Sequence, residues 1–244
     1  MPAATAPLSL KDEPDREVVL STVLPLAWPA MVRADGRIYL GLQVASRSGD
    51  VSRDLAAALE LALTTDVGNP VQLVGLPGPG PRLQDLLEDA PLDITVHSGF
   101  DYWIEGTEPT EDVAASMERA NGTVVPTVRL SGVQSAYWCR MKERTHLRWV
   151  LPEDEDRLLD ALARIAAADG LGIGPDTRYV GAFRAHGLLV PVWDLPFDRE
   201  APELEEPVAA LRTKLDAALA TTDPLSTDER RSRAGLMSRQ LTLR

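Results

Sequence analysis

The sequence predicts an α+β protein: an antiparallel or mixed sheet with helices mainly on one face, built from repeated strand–strand–helix units. Three observations carry that expectation. Apolar and polar residues alternate with period two in short segments, as in Arg37 to Val44 and His146 to Leu151, the pattern of strands with a buried face. Stripes with helical spacing follow these segments, clearest at Leu158, Leu159, Leu162, Ile165 and Ala166. An arginine recurs at the strand–strand turns, in Val32-Arg33-Ala34-Asp35-Gly36, Cys139-Arg140-Met141-Lys142-Glu143 and Phe183-Arg184-Ala185-His186-Gly187. The helices fall too unevenly between the strands for a doubly wound parallel sheet.

Residues 1–16, rich in Pro, Ala and charge, read as a flexible lead-in. Val18 to Val32 reads as a strand that Pro25 and Pro29 force to an edge or a bend. Asp35-Gly36 is a hairpin signal, because both residues tolerate positive φ. In the return strand Ile38, Leu40, Leu42 and Val44 make the buried face, and Arg37, Tyr39, Gly41 and Gln43 the other. Asp50 is placed to cap a helix carrying Leu55, Leu59, Ala62 and Leu63, which Gly68-Asn69-Pro70 ends. Val71 to Leu76 reads as a short strand, Leu83 to Leu87 as a short helix, Leu92 to Ile104 as a strand region and Thr110 to Ala120 as a helix.

The second unit pairs Val128–Arg140 with His146–Leu151. A helix follows with Pro152 at its first position and acidic residues Glu153 to Asp156 against its positive end. The third unit turns at His186-Gly187, with Pro191 placing its return strand at an edge or bulge, and ends in a helix with Val208, Leu211, Leu215 and Leu219. Leu55, Leu59 and Leu63 stand 156 residues before Leu211, Leu215 and Leu219. That spacing raises an internal repeat of 17–68 in 177–224 within a single domain spanning 17–224, followed by a basic C-terminal tail, 225–244.

Composition narrows the function. The chain has 244 residues and a formal charge of −12, with a pI near 4.7, so it repels phosphate backbones and nucleic acid is not the expected partner. Lysine occurs only at 11, 142 and 214, and the arginine-rich remainder reads as GC-rich coding rather than a demand for guanidinium chemistry. One cysteine, Cys139, permits no intrachain disulfide and places the protein in the cytoplasm. The longest uncharged apolar run, Val18 to Val32, is interrupted by prolines and shorter than the roughly 20 residues that span a bilayer, so no membrane partner is expected.

No short catalytic motif appears. Cys139 with His146 across the turn is the candidate nucleophile and base, but a lone strand cysteine is more often a small buried hydrophobe. His97, His146 and His186 have no second His or Cys at ligand spacing, so no metal and no cofactor are expected. Gly170-Leu171-Gly172-Ile173-Gly174 follows a helix and precedes a strand, the reverse of a dinucleotide-binding loop. Tyr102-Trp103, Tyr137-Trp138, Trp149 and Trp193 fall in strand-like segments near Arg140, Arg148 and Arg184. Trp and Arg together suit an interaction surface, whereas Trp alone more often fills a sheet core. In the tail, Arg230, Arg231 and Arg233 form a basic stretch suited to docking on an acidic surface of this chain, a second copy or a partner.

Ser135-Ala136-Tyr137-Trp138-Cys139 resembles segments of an uncharacterised family of proteins from GC-rich Gram-positive bacteria. So do His146-Leu147-Arg148-Trp149 with Pro152 to Asp156, Phe183 to Leu195, and the ending Arg233 to Arg244. The likeness covers nearly the whole chain. The family is a domain of unknown function, some of whose members are labelled preprotein translocase-related, and it supplies no catalytic residue to carry over. Its members begin with a longer basic stretch ahead of the equivalent of Pro2 to Leu8, and such an arm would weaken the case against nucleic acid.

The expectation is a cytoplasmic, non-catalytic α+β protein acting through protein contacts, its partner another protein or a second copy of the chain. The alternative is a small-molecule-binding protein or an enzyme without a short motif, with its site near Cys139, His146 and Arg148. The candidate binding residues are Arg33, Arg140, Arg184, His146, Arg148, Trp138 and Cys139, with Arg230, Arg231 and Arg233 in the tail.

Overall fold

A computed structural model describes residues 1–13, 15–72, 75–104, 106 and 110–238. It is of the α+β class expected, with six α-helices and two sheets, one mixed and one antiparallel, among the described residues. The chain divides into two compact units, Met1–Val124 and Val125–Arg244, where the sequence predicts one domain over 17–224. The physical reason lies in the cores. The leucine stripe of the first strand–strand–helix unit is buried on one sheet, and those of the second and third are buried together on another.

In the first unit the strands are β1 (Ala3–Leu8), β2 (Val18–Val23), β3 (Ala30–Val32), β4 (Ile38–Gln43), β5 (Pro70–Val71) and β6 (Thr95–His97). Their order in the sheet is β5-β3-β4-β2-β1-β6. Among the described residues only β2 and β4 run parallel. Helices α1 (Val51–Ala62), α2 (Leu83–Leu86) and α3 (Glu111–Asn121) accompany them.

Residues 3–8, expected in a flexible lead-in, pair with β2 on one side and β6 on the other. A ladder partner more than eighty residues away orders this Pro/Ala segment, and no local propensity announces it. Val18 to Val32 bends as its prolines require: a 3-10 turn at Pro25–Ala27 separates β2 from β3. Of the strand expected at Val71 to Leu76, only Val71 lies in β5, and positions 73 and 74 fall outside the described residues. Leu92 to Ile104 holds the short β6 and then a 3-10 turn at Asp101–Trp103, rather than one strand.

The sheet is covered on both faces. Ile38 and Leu40 meet Leu55, Leu59 and Ala62 of α1, whose cap is the expected Asp50, accepting from Arg53 N–H at 3.2 Å. Tyr39, expected on the solvent side, is 3% exposed and packs with Met31, Phe100, Tyr102 and Met117. On that second face a Cβ at Gly41 would lie 2.5 Å from the Trp28 carbonyl oxygen. Only glycine lets the bent segment cross β4 this closely.

The second unit is an antiparallel sheet of β7 (Thr127–Arg129), β8 (Ala136–Met141), β9 (Arg144–Trp149), β10 (Arg178–Ala185) and β11 (Leu188–Leu195), in the order β10-β11-β9-β8-β7. Its helices are α4 (Glu155–Ala167), α5 (Glu205–Leu219) and α6 (Thr227–Ser238). One face of the sheet carries Trp138, Leu147, Trp149, Leu189 and Trp193 into a core shared with Leu158 and Leu162 of α4, Leu211 and Leu215 of α5, and Leu236 of α6. Trp138, Trp149 and Trp193 are each at most 3% exposed. Each donates its indole N–H to a backbone carbonyl, of Arg199, Gln134 and Leu171 respectively.

Two expectations about this unit are corrected. Helix α4 starts at Glu155 behind the cap Asp154, which accepts from Arg157 N–H at 3.1 Å, so Pro152 precedes the helix rather than opening it. Strand β11 is interior rather than at an edge; Pro191 is tolerated because pairing with β9 is broken between the Leu151–Leu189 bridge and the Val192–Arg148 pair. The basic tail is a helix over Thr227–Ser238 that packs on α4, and positions 239–244 fall outside the described residues. Among the described residues no helix is long and apolar enough to cross a membrane.

Candidate functional site

The three turn arginines each clip a hairpin to another element of their own unit. Arg33, its side chain 8% exposed, donates from Nη1 to the carbonyls of Tyr102 and Trp103 at 2.9 and 3.0 Å. It thereby satisfies acceptors that the 3-10 turn leaves open. Arg184 donates from Nε to Glu155 Oε2 at 2.7 Å, in the first turn of α4, and this forked contact holds the Glu155 carboxyl below its usual range. Arg140 donates from Nη2 to the Phe197 carbonyl at 3.1 Å and to Glu200 Oε1 at 2.7 Å. In the second unit Arg140 on β8 and Arg184 on β10 stand on non-adjacent strands and bind different elements, so these two do not gather into one surface.

In the tail, Arg233 is committed inside the unit, with Nη2 2.6 Å from Asp156 Oδ1 and Nε 2.6 Å from Asp160 Oδ1, while Leu236 beside it is 5% exposed. Arg230 bonds locally to the Leu225 carbonyl and Thr227, and Arg231 pairs with Asp228 at the surface. The acidic surface that the tail sequence suits is thus the first half of α4.

Strand register builds the second candidate. On the sheet face opposite the helices, Thr127, Cys139, His146, Asp194 and Arg178 stand directly across from one another on β7, β8, β9, β11 and β10. His146 Nδ1 lies 2.9 Å from Asp194 Oδ1, and Arg178 Nη2 is 3.4 Å from Asp194 Oδ2. Arg148, one row along, donates to the Met141 sulfur at 3.1 Å. The sequence names Cys139, His146 and Arg148; it misses Asp194, although period two along β11 sets Asp194 on the same face as Val190 and Val192 as the only charge in that strand.

A thiol, an imidazole and a carboxylate in a row have the composition of a nucleophilic triad, but the electrostatics run the other way. Cys139 is 3% exposed. Burial pushes its thiol up, against the pull of Arg148. Burial pushes the His146 imidazole down, against the opposing effect of Asp194. A thiolate–imidazolium pair needs the cysteine lowered and the histidine raised. Here the two shifts separate them, leaving a neutral thiol beside a neutral ring at pH 7.

The most interface-like geometry is around Arg140. Its guanidinium carbon stands 4.7 Å from the Trp138 ring centre and 5.1 Å from that of Phe197, a cation between two aromatic rings. Trp138 is buried, whereas Phe197 is 53% exposed. Thr145 Oγ1 holds the Phe197 carbonyl at 3.3 Å, and Glu200 holds Arg140 from the acidic side. Phe197 is the residue the sequence reading passes over. The signal for it was an aromatic directly after Pro196, outside any apolar periodicity.

These features define a two-unit α+β protein with an arginine-clipped antiparallel sheet and no assembled nucleophile at its one cysteine. The chain belongs to a family of unknown function, DUF5926, whose family model matches residues 1–244. Neither a search of curated proteins nor a search of solved structures found a match.

Proposed function

We propose that this is a non-catalytic cytoplasmic protein that acts through contacts with another protein, using the surface formed by Phe197 and Arg140. The carrying observation is the exposed Phe197 ring stacked over an Arg140 that is itself held in place by Trp138 and Glu200. Aromatic and arginine side chains are those that binding surfaces favour, and a pre-positioned arginine loses little freedom on binding. The raised thiol of Cys139 and lowered imidazole of His146 support a non-catalytic reading of the sheet row. A single cysteine supports a reducing compartment, and the lysine-poor, arginine-rich composition supports a GC-rich bacterial source. The charge of −12 supports a protein rather than a nucleic-acid partner.

Affinity capture with the full chain as bait tests this reading. A Phe197→Ser bait should recover the specific partner at least about tenfold less efficiently than wild type. A control change at exposed Val67, Val67→Ser, should not. Equal recovery by all three baits would remove the Phe197 surface from the function.

A further inference from the structure

The first unit holds a cavity of about 280 Å³ among the 3-10 turn at Pro25–Ala27, the end of β4, the start of α1 and residues 75–77. Its wall is apolar, formed by Trp28, Leu42, Leu55, Ala58 and Leu76 among others. The volume sits just below the roughly 300 Å³ at which small-molecule sites begin, so its occupant is small.

Two ionisable groups line it. Asp54 of α1 is 9% exposed, and its carboxylate takes both oxygens to one backbone donor, Ser48 N–H, at 3.0 and 3.4 Å. Among the described residues no cation pairs with it. Arg47, adjacent to Ser48 in the chain, is exposed, lines the same cavity and has no carboxylate partner among the described residues. A carboxylate carries more acceptor sites than one N–H fills, and burying it without a cation is costly. Trp28, also in the wall, donates its indole N–H to no described residue, whereas the other four tryptophans each donate theirs to a backbone carbonyl.

The rim shows strain at the same place. Leu26 and Ala27 hold φ of 53° and 54°, consecutive left-handed positions at residues with side chains, and Leu26 is 83% exposed beside the cavity. Unfavourable backbone of this kind collects around ligand sites.

We propose that this cavity binds a free α-amino acid with an apolar side chain. Its ammonium group meets Asp54, its carboxylate meets Arg47 at the outer side, and its side chain fills the space against Trp28, Leu42 and Leu55. An anion and a cation flanking an apolar hollow complement that zwitterion, whereas a hydrocarbon would leave both charges unanswered and a simple amine would leave Arg47 so.

Calorimetric titration of the full chain with L-leucine, L-phenylalanine and L-tryptophan tests the proposal. At least one should bind saturably, and its N-acetyl and amide derivatives should each bind about tenfold more weakly or worse. Arg47→Gln should weaken the free amino acid and leave its amide unchanged. Asp54→Asn, which keeps an acceptor for Ser48 N–H, should weaken the free amino acid and leave its N-acetyl form unchanged. Ala45→Trp, at an exposed cavity-lining position, should abolish binding of every form. Arg47 and Ala45 are exposed, so unaltered thermal unfolding of those variants separates loss of the site from loss of the fold. No saturable binding of any of the three amino acids below about 10 mM would overturn the proposal. Binding indifferent to acetylation and amidation, or intact in Ala45→Trp, would also overturn it. Phe197→Ser should leave the titration unchanged, which keeps failure here distinct from failure of the protein-contact reading.

Discussion

Leu162 stands mid-stripe on α4, is 1% exposed, and belongs to the core of the second unit with Trp149 and Trp193. Leu162→Ala deletes three carbon groups from that core. At about 0.8 kcal/mol for each buried group, the transfer loss is ~2.4 kcal/mol. A residual cavity of roughly 50 Å³ at about 24 cal/mol per Å³ adds ~1.2 kcal/mol. The sum, ~3.6 kcal/mol, falls within the ~2–5 kcal/mol span of such substitutions. Urea unfolding followed by tryptophan fluorescence is a direct assay, because Trp138, Trp149 and Trp193 all sit in this core and report on this unit. With a slope of ~1–3 kcal/mol per molar urea, the midpoint should fall by roughly 1.2–3.6 M at unchanged slope. A midpoint shift below about 0.3 M at equal slope would refute the packing argument and take α4 out of the core.

Two further outcomes are expected. Gly41→Ala should destabilise the first unit by about 1–3 kcal/mol, because its Cβ would sit 2.5 Å from the Trp28 backbone oxygen, which no side-chain rotation relieves; an unchanged thermal midpoint would show that the bent segment is free to retreat. The His146 imidazole titrates below its ordinary value in the folded chain, chiefly through burial, so the unfolded chain takes up the proton first as pH falls. Stability should therefore decline as pH drops from about 6.5 toward the lower folded value, and His146→Gln should flatten that decline; equal slopes for the two proteins between about pH 5 and 7 would show that His146 is not its source.

Local patterns carried much of the fold. The alternation in β4 and β9, the cap at Asp50 and the turn at His186-Gly187, with φ of 50° and 83°, are set within a few residues and were readable as such. What went astray depended on distant partners. Residues 3–8 are a strand because β2 and β6 flank them. Tyr39 is buried because Phe100 and Met117 cover a face that alternation alone assigned to solvent. Pro191 lies in an interior strand because the β9 ladder breaks opposite it.

The candidate site divides in the same way. Cys139 and His146 are seven positions apart across a two-residue turn, so their juxtaposition follows from the hairpin register. Asp194 and Arg178 join that row only when β11 docks on β9 and β10 on β11. Arg33, Arg140 and Arg184 could be singled out by their recurrence, but their hydrogen bonds reach residues 69, 57 and 29 positions away. Phe197 offers only its place after Pro196, and Asp54 carries no local signal at all.

By itself the sequence determined the α+β class, the alternation of β9, the turn at His186-Gly187 and the cap at Asp50, because those depend on interactions spanning one to four residues. The tertiary structure decided the division into two cores, the burial that raises the Cys139 thiol and lowers the His146 ring, and the commitment of Arg233 to α4. It also decided which charges, Asp54 and Arg47, have no oppositely charged partner among the described residues beside an apolar hollow. Desolvation and ion pairing depend on what comes to lie next to a group in space, and residue order alone does not encode that distance.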